Sequence, residues 1–179
     1  MPDIAPRATI SGLATHPHDG DTGYVLYSVF RLPKVLRTTD FGQTWEDLSG
    51  FADVPYGAPS SNGFPDVGAQ DLLVMPHNTD IIWVGTEMGL FVSNDGGQNW
   101  EYSDNGLPAV SIWRMLIVDE EIVVATHGRG VWTLDLSGPA ATEDNTSDVP
   151  DAIRLEPNYP NPPNTPLSLI HISEPTRPY

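Results

Sequence analysis

Apolar residues in this chain come in short runs, each closed off by Gly, Pro, Asn, Asp or Ser. Runs of about four to eight residues bounded in this way predict β-strands rather than helices. They fall at 9–15, 24–30, 35–39 and 45–48, then at 70–75, 81–86, 90–93 and 100–103, and finally at 112–118, 122–126 and 131–136. No stretch carries the three- and four-residue apolar interval of an amphipathic helix. The runs group in fours, except that nothing beyond residue 136 resembles a fourth strand for the third group. The pattern predicts an all-β chain of about three four-stranded antiparallel sheets, the last incomplete, over residues 8–48, 69–103 and 112–136.

Internal repetition says how the sheets are related. Thr38-Thr39-Asp40-Phe41-Gly42-Gln43-Thr44-Trp45 and Ser93-Asn94-Asp95-Gly96-Gly97-Gln98-Asn99-Trp100 share one motif, [Ser/Thr]-x-Asp-x-Gly-x-[Thr/Asn]-Trp. Two further matches run alongside it: Asn62-Gly63-Phe64-Pro65-Asp66-Val67 with Asn105-Gly106-Leu107-Pro108-Ala109-Val110, and Val84-Gly85-Thr86-Glu87 with Val124-Ala125-Thr126-His127. A period of roughly 40–55 residues with four short strands per repeat predicts β-propeller blades. The run 49–68 reads as one long polar connection that stretches the first interval. Propellers close with about 4–8 blades, so three blades predict a partial ring.

Turn chemistry explains each required motif position. Asp40 and Asp95 cap the turn by accepting backbone N–H groups, Gly42 and Gly97 supply the positive φ that reverses the chain, and Thr38 and Ser93 open it. Trp45 and Trp100 bury a large apolar area and anchor the hairpin on the sheet below. These eight residues are therefore read as structural, not catalytic. The motif resembles the Asp-box (BNR repeat) of secreted β-propellers of the sialidase, sortilin and xyloglucanase-like families. The resemblance implies the C-terminal part of such a propeller, secreted or held at the outer cell surface, contacting an extracellular glycan or protein.

The remainder of the chain has a different character. Residues 137–152 are rich in Gly, Pro, Ser, Thr, Asp and Asn, a linker composition. Residues 153–166 carry Asn158-Tyr159-Pro160-Asn161-Pro162 and resemble the opening of a type A sorting domain, which implies the type IX secretion machinery as a partner; Pro163 stands where an aromatic is usual. Residues 167–179 resemble a translated sequencing adapter, so His171, Glu174 and Arg177 receive no functional reading. Met1-Pro2-Asp3 lacks the charged and apolar regions of a signal peptide, and the expectation is that the true start lies upstream.

Charge and composition remove other classes. A net charge of −16, from 24 acids against 8 bases, excludes nucleic acid as a partner, because phosphate neutralisation needs Lys and Arg. No apolar run reaches the length of a membrane-spanning helix. There is no cysteine for disulfides or thiol chemistry. Asp19-Gly20-Asp21-Thr22-Gly23 has the start of a calcium loop but Phe30 where the bidentate Glu belongs, so no metal and no cofactor are expected.

Chemistry is then left to the rim formed by the turns between second and third strands and the links between blades, since binding residues favour loops on a rigid scaffold. Glu87, Arg114, His127 and Arg129 are the candidate ligand-binding residues there, with Arg31, Lys34, Asp66 and Trp113 nearby. Hairpin chemistry alone accounts for His127-Gly128-Arg129-Gly130, with Arg129 pairing to a carboxylate and Trp132 packing inward. The other reading makes them glycan or peptide contacts. A sialidase needs an arginine triad, a Tyr nucleophile with a Glu partner, and an acid. Arg31, Arg37, Arg114 and Arg129 do not complete that set, so no catalytic residue is assigned. The expected role is a non-catalytic binding scaffold; the alternative is a glycoside hydrolase whose acids lie mainly in upstream blades.

Overall fold

The computed structural model describes residues 4–103, 106–136 and 156–157. It holds three four-stranded antiparallel sheets, each a simple meander, and no helix among the described residues. The first comprises β1 (Ile10–Thr15), β2 (Gly23–Tyr27), β3 (Val35–Thr38) and β4 (Glu46–Asp47). The second comprises β5 (Ala69–Val74), β6 (Ile82–Thr86), β7 (Gly89–Ser93) and β8 (Glu101–Ser103). The third comprises β9 (Ile112–Val118), β10 (Glu121–Thr126), β11 (Val131–Asp135) and β12 (Glu156–Pro157).

Two boundaries differ from the sequence pattern. Residues 28–30 leave β2 because Ser28-Val29-Phe30 enters a loop in which Arg31 takes φ 60°, a left-handed conformation that no strand continues through. The third sheet gains a two-residue fourth strand, β12, which pairs with Trp132 and Thr133 of β11. A two-residue strand carries no periodicity, so it left no signal in the sequence. The linker and the rest of the sorting-like and adapter-like segments lie outside the described residues.

Packing follows from strand alternation. The first strands of consecutive sheets lie side by side, β1 against β5 and β5 against β9. Tyr24, Leu26 and Val35 of the first sheet meet Leu72, Val74, Ile82, Val84 and Phe91 of the second. On the second sheet's other side, Met75, Trp83 and Leu90 meet Ile112, Met115, Ile122 and Val124 of the third. Successive residues point to opposite faces, so β6 sends Ile82 and Val84 one way and Trp83 the other, and all five of its residues are buried. The outer faces have no such cover. Leu116 and Val131, on the face of the third sheet turned from the second, are exposed, as is Leu13 on the first.

The two motif turns repeat bond for bond. Thr38 Oγ1 accepts the Gly42 N–H at 2.8 Å, and Ser93 Oγ accepts that of Gly97 at 2.8 Å. Asp40 Oδ1 accepts the Thr44 N–H, and Asp95 Oδ1 that of Asn99, each at 2.8 Å. The captured N–H lies four residues on, so the carboxylate spans the whole turn. Phe41 holds φ 56° where the second turn has Gly96 at 72°. Gly97, at φ 93°, is also packed: a Cβ there would stand 2.9 Å from Leu48.

The two indoles behave differently. Trp100 is buried between the sheets and donates Nε1–H to the Leu48 carbonyl of the preceding sheet at 2.7 Å. Trp45 is half-buried and donates to Gly42 of its own turn at 3.0 Å. Among the described residues no sheet stands on that side of the first, and Trp45 folds back on its own hairpin.

The connection 49–68 is less polar in effect than in composition. Phe51 and Phe64 are buried in the first core, with Phe64 edge-on to Trp100 at 5.1 Å. Asn62 Nδ2 donates to the Leu48 carbonyl, and the Trp100 N–H donates to the Asn62 carbonyl. Gly63 is required there, since a Cβ would meet the Trp100 carbonyl oxygen at 2.6 Å. Leu107 does for the second core what Phe64 does for the first, and this is the physical content of the Asn-Gly-x-Pro repeat.

Two outcomes follow. Trp100→Ala destabilises by about 3–5 kcal/mol and Trp45→Ala by about 1–2 kcal/mol, as their burial dictates, measured by chemical denaturation; equal losses would contradict the assignment. The uncovered outer faces bind an apolar dye and promote self-association at micromolar concentration despite the charge. Gel filtration showing a dye-silent monomer with a sharp two-state melt would rule this out.

Candidate functional site

In a meander, the β1–β2 and β3–β4 turns share one end of the sheet and the β2–β3 turn takes the other. Backbone bonds mark both ends. At the motif end, Phe41 N–H donates to the Asp21 carbonyl and Gly96 N–H to that of Asp80. At the opposite end, Glu87 N–H donates to Gly68 at 3.2 Å and His127 N–H to Ser111 at 2.8 Å. Glu87 and His127 are thus equivalent positions in consecutive blades. Both turns close by the same device, Thr86 Oγ1 donating to Gly89 and Thr126 Oγ1 to Gly130. That device underlies the Val-x-Thr repeat.

The four candidate residues fall into separate neighbourhoods. Glu87 is exposed, with Ser28 Oγ at 3.5 Å from its carboxylate. His127 is exposed and its ring stacks on Trp113 of β9, centroids 4.8 Å apart and planes 14° from parallel. Arg129 tips the β10–β11 turn; its carbonyl accepts Trp132 Nε1–H, and among the described residues it pairs with no carboxylate, contrary to the hairpin expectation. Arg114 of β9 is exposed and points its Nη1 at Asp71 Oδ1, 3.7 Å away. No hydrogen bond or ion pair among the described residues joins Glu87 to His127 or Arg129.

Lys34 and Asp66 leave the list of free rim groups. Lys34 is fully buried, its ammonium 2.8 Å from Asp66, 2.9 Å from the Leu32 carbonyl and 3.4 Å above the Phe51 ring. Burial pushes its pKa below the usual lysine value, against the opposing pull of Asp66. Burial also acts to raise Asp66, but the Arg31 N–H and the Lys34 ammonium outweigh it and hold the carboxylate low. This pair fastens the 49–68 connection to the first blade's rim loop. Arg31 remains exposed, over the Tyr56 ring at 5.7 Å.

Sequence reasoning passed over Asp71. It sits on β5, buried, in the run Gln70-Asp71-Leu72-Leu73-Val74, and the one signal was an acid inside an otherwise apolar strand. Its Oδ2 accepts the Met115 N–H at 2.5 Å, tying β5 to β9 across the blade boundary. Burial raises its pKa above the ordinary carboxylate value, and the Met115 N–H, Arg114 and the Leu72 N–H offset only part of that. Asp71 and Arg114 line a groove of about 380 Å³ that crosses the first strands of all three sheets, walled by Leu13, Leu73, Leu116 and Pro76. Asp40 and Asp95 behave oppositely: hydrogen bonds within their turns lower both. Asp19 is likewise occupied, accepting from Thr22 Oγ1 and the Asp21 N–H. No group of three or more His, Asp or Glu able to hold a metal occurs among the described residues. No helix among them is long and apolar enough to cross a membrane.

No family model and no curated protein matches the chain. Solved structures do. An ancestral GH74 enzyme aligns at TM-score 0.56 and 17% identity over 75% of this chain and 18% of its own. The β-propeller domain of Cps50 (Swd1) from Myceliophteria thermophila aligns at 0.51 and 17% over 86% of this chain and 47% of its own. The GH74 xyloglucanase from Xanthomonas campestris aligns at 0.49 and 20% over 70% of this chain and 20% of its own. The chain spans less than half the length of each. At these identities the likeness concerns the fold alone, and the first two identify it: the three sheets are blades of a β-propeller.

The Asp71 shift has a definite pH signature. A carboxyl whose folded pKa is raised costs stability when ionised, and that cost fades as pH falls through the folded pKa and is gone below the unfolded value. Asp71→Asn removes this dependence. Between pH 7 and pH 4 the wild type therefore gains in melting temperature relative to Asp71→Asn; parallel curves would show that Asp71 is not desolvated.

Proposed function

We propose that the chain forms three blades of a secreted or cell-surface Asp-box propeller that acts as a binding scaffold for an extracellular glycan or protein, with the β2–β3 rim as its contact surface. The tail resembling a sorting domain supports export through the type IX machinery, and the two bond-for-bond turns support the Asp-box reading. One observation carries the binding role: Trp113, 60% exposed, lies flat against His127 at the rim. An exposed, oriented aromatic pair offers a flat apolar platform with a polar edge, which suits stacking by a sugar ring or a peptide side chain. Arg129 on the same turn adds a cation that pairs with no carboxylate among the described residues, and Glu87 in the equivalent turn one blade back adds a carboxylate. General acid–base hydrolysis would need two carboxylates facing one bond. With Asp66 committed to Lys34, the described part of the rim offers Glu87, so binding is the better-supported reading.

Trp113→Ala and His127→Ala lower binding to a glycan or peptide panel by about tenfold or more, consistent with stacking worth one to two kcal/mol. Because both side chains are exposed, the melting temperature stays within about 2 °C. Variants that melt earlier yet bind as wild type would assign the stack to stability instead.

A further inference from the structure

The loop between β2 and β3 is held in a shape it would not adopt alone. Arg31 takes φ 60°, a conformation that residues other than glycine avoid and that persists only where the surroundings impose it. Asp66 imposes it here: its Oδ1 accepts the Arg31 N–H at 2.6 Å and is fixed in turn by the buried Lys34 ammonium at 2.8 Å. On this rigid base Phe30, Arg31 and Leu32 are all exposed, Phe30 by 62%. Beside them opens a pocket of about 320 Å³, at the small end of ligand-binding cavities, walled by Ile4, Leu32, Pro33, Phe51, Val54 and Tyr56. Among the described residues lining it, Arg31 is the one charged group.

Two features say what fits there. The Arg31 guanidinium lies over the Tyr56 ring and stands within ion-pair distance of no carboxylate among the described residues, Asp66 being engaged by Lys34. The two ends of the sheets also differ in charge. The motif-end turns carry Asp19, Asp21, Asp40, Asp80 and Asp95 with no Lys or Arg, whereas the rim turns carry Arg31, Lys34 and Arg129 against Glu87. An acidic partner is repelled from one end and drawn to the other. Walls of carbon with few hydrogen-bonding groups favour an apolar side chain over sugar hydroxyls, which they would leave unpaired.

We propose that the Arg31 pocket docks an acidic segment of a partner protein. An apolar side chain enters between Leu32, Pro33 and Val54, and a neighbouring Asp or Glu of the partner pairs with Arg31. The inference deepens the rim reading by naming a protein over a glycan at this blade. It rests on the rim as the contact surface, but not on the Trp113–His127 stack.

The test is fluorescence anisotropy on the full 179-residue chain with two sets of capped, dye-labelled octapeptides, a central Leu flanked by Glu in one and by Gln in the other. The wild type binds the Glu set about tenfold more tightly, the worth of one charge-assisted hydrogen-bonded pair. Arg31→Gln brings the Glu set down to the affinity of the Gln set, erasing the preference with the melting temperature unchanged. Leu32→Ser weakens both sets by a common factor and keeps their ratio. Binding of neither set, or a ratio that survives Arg31→Gln, overturns the docking site. Equal wild-type affinities that fall together in Trp113→Ala overturn it too and leave the rim platform standing. Displacement of the Glu set by glucuronate, an acidic sugar without an apolar side chain, at equal or lower concentration overturns the assignment to a protein.

Discussion

Among the described residues, only the middle of the three sheets has a neighbour on each face. That constraint organises the rest. β6 is the measure of it: five consecutive buried residues, Ile82 and Val84 turned to the first sheet and Trp83 to the third. A strand buried on both faces reads as a continuous apolar run, while one buried on a single face alternates. β10 is apolar over Ile122–Ala125 yet its burial alternates, with Ile122 and Val124 buried and Val123 and Ala125 only partly so. The difference between β6 and β10 lies in what stands beside each sheet, since their sequences occupy equivalent positions in the repeat.

The sheets are joined by contacts that skip along the chain. Trp100 reaches back to the Leu48 carbonyl, Arg37 Nη1 reaches forward to the Gly96 carbonyl, and Asp71 takes the Met115 N–H. Each bond crosses a blade boundary and satisfies a backbone group that sheet pairing leaves free. The motif turn therefore does two jobs. Its Asp and its Thr or Ser close the hairpin locally, and its Trp, when a preceding blade exists, closes the gap between sheets. Trp45 shows the first job without the second.

Much of this was legible in the chain itself. The apolar runs located eleven strands, nearly all to within one residue, because strand ends here coincide with Gly, Asp and Asn turns. The motif residues Asp40, Gly42, Asp95 and Gly97 announced their turns for the same reason. What stayed hidden depends on partners distant in sequence. Phe51 and Phe64 lie in a segment rich in Ser, Gly and Pro, and their burial comes from packing that no local window contains. Lys34 looked like a rim cation and is a buried one, because Asp66, 32 positions downstream in the chain numbering, folds over it. Glu87, His127 and Arg129 lie in or beside the β6–β7 and β10–β11 turns and Arg114 on β9, but their neighbours had no local signal: His127 meets Trp113, and Arg114 an aspartate that sequence reasoning had left unread.

The acids divide by environment more than by position. Asp40 and Asp95 sit at the surface, wrapped by donors of their own turns, and their carboxylates are held ionised by those bonds. Asp71 is buried on a strand, where the Met115 and Leu72 N–H groups and a guanidinium at the edge of reach offset only part of its desolvation. The turn carboxylates are lowered by their bonds, whereas burial dominates at Asp71 and raises it. Arg114 occupies the register position of Asp71 one blade further on, as their pairing with Ala125 and Gly85 shows. Repetition has placed opposite charges at equivalent points of adjacent blades, and the blade spacing sets the gap between them. A repeat that elsewhere copies turns and core residues departs from itself at this pair, in a groove that all three innermost strands line.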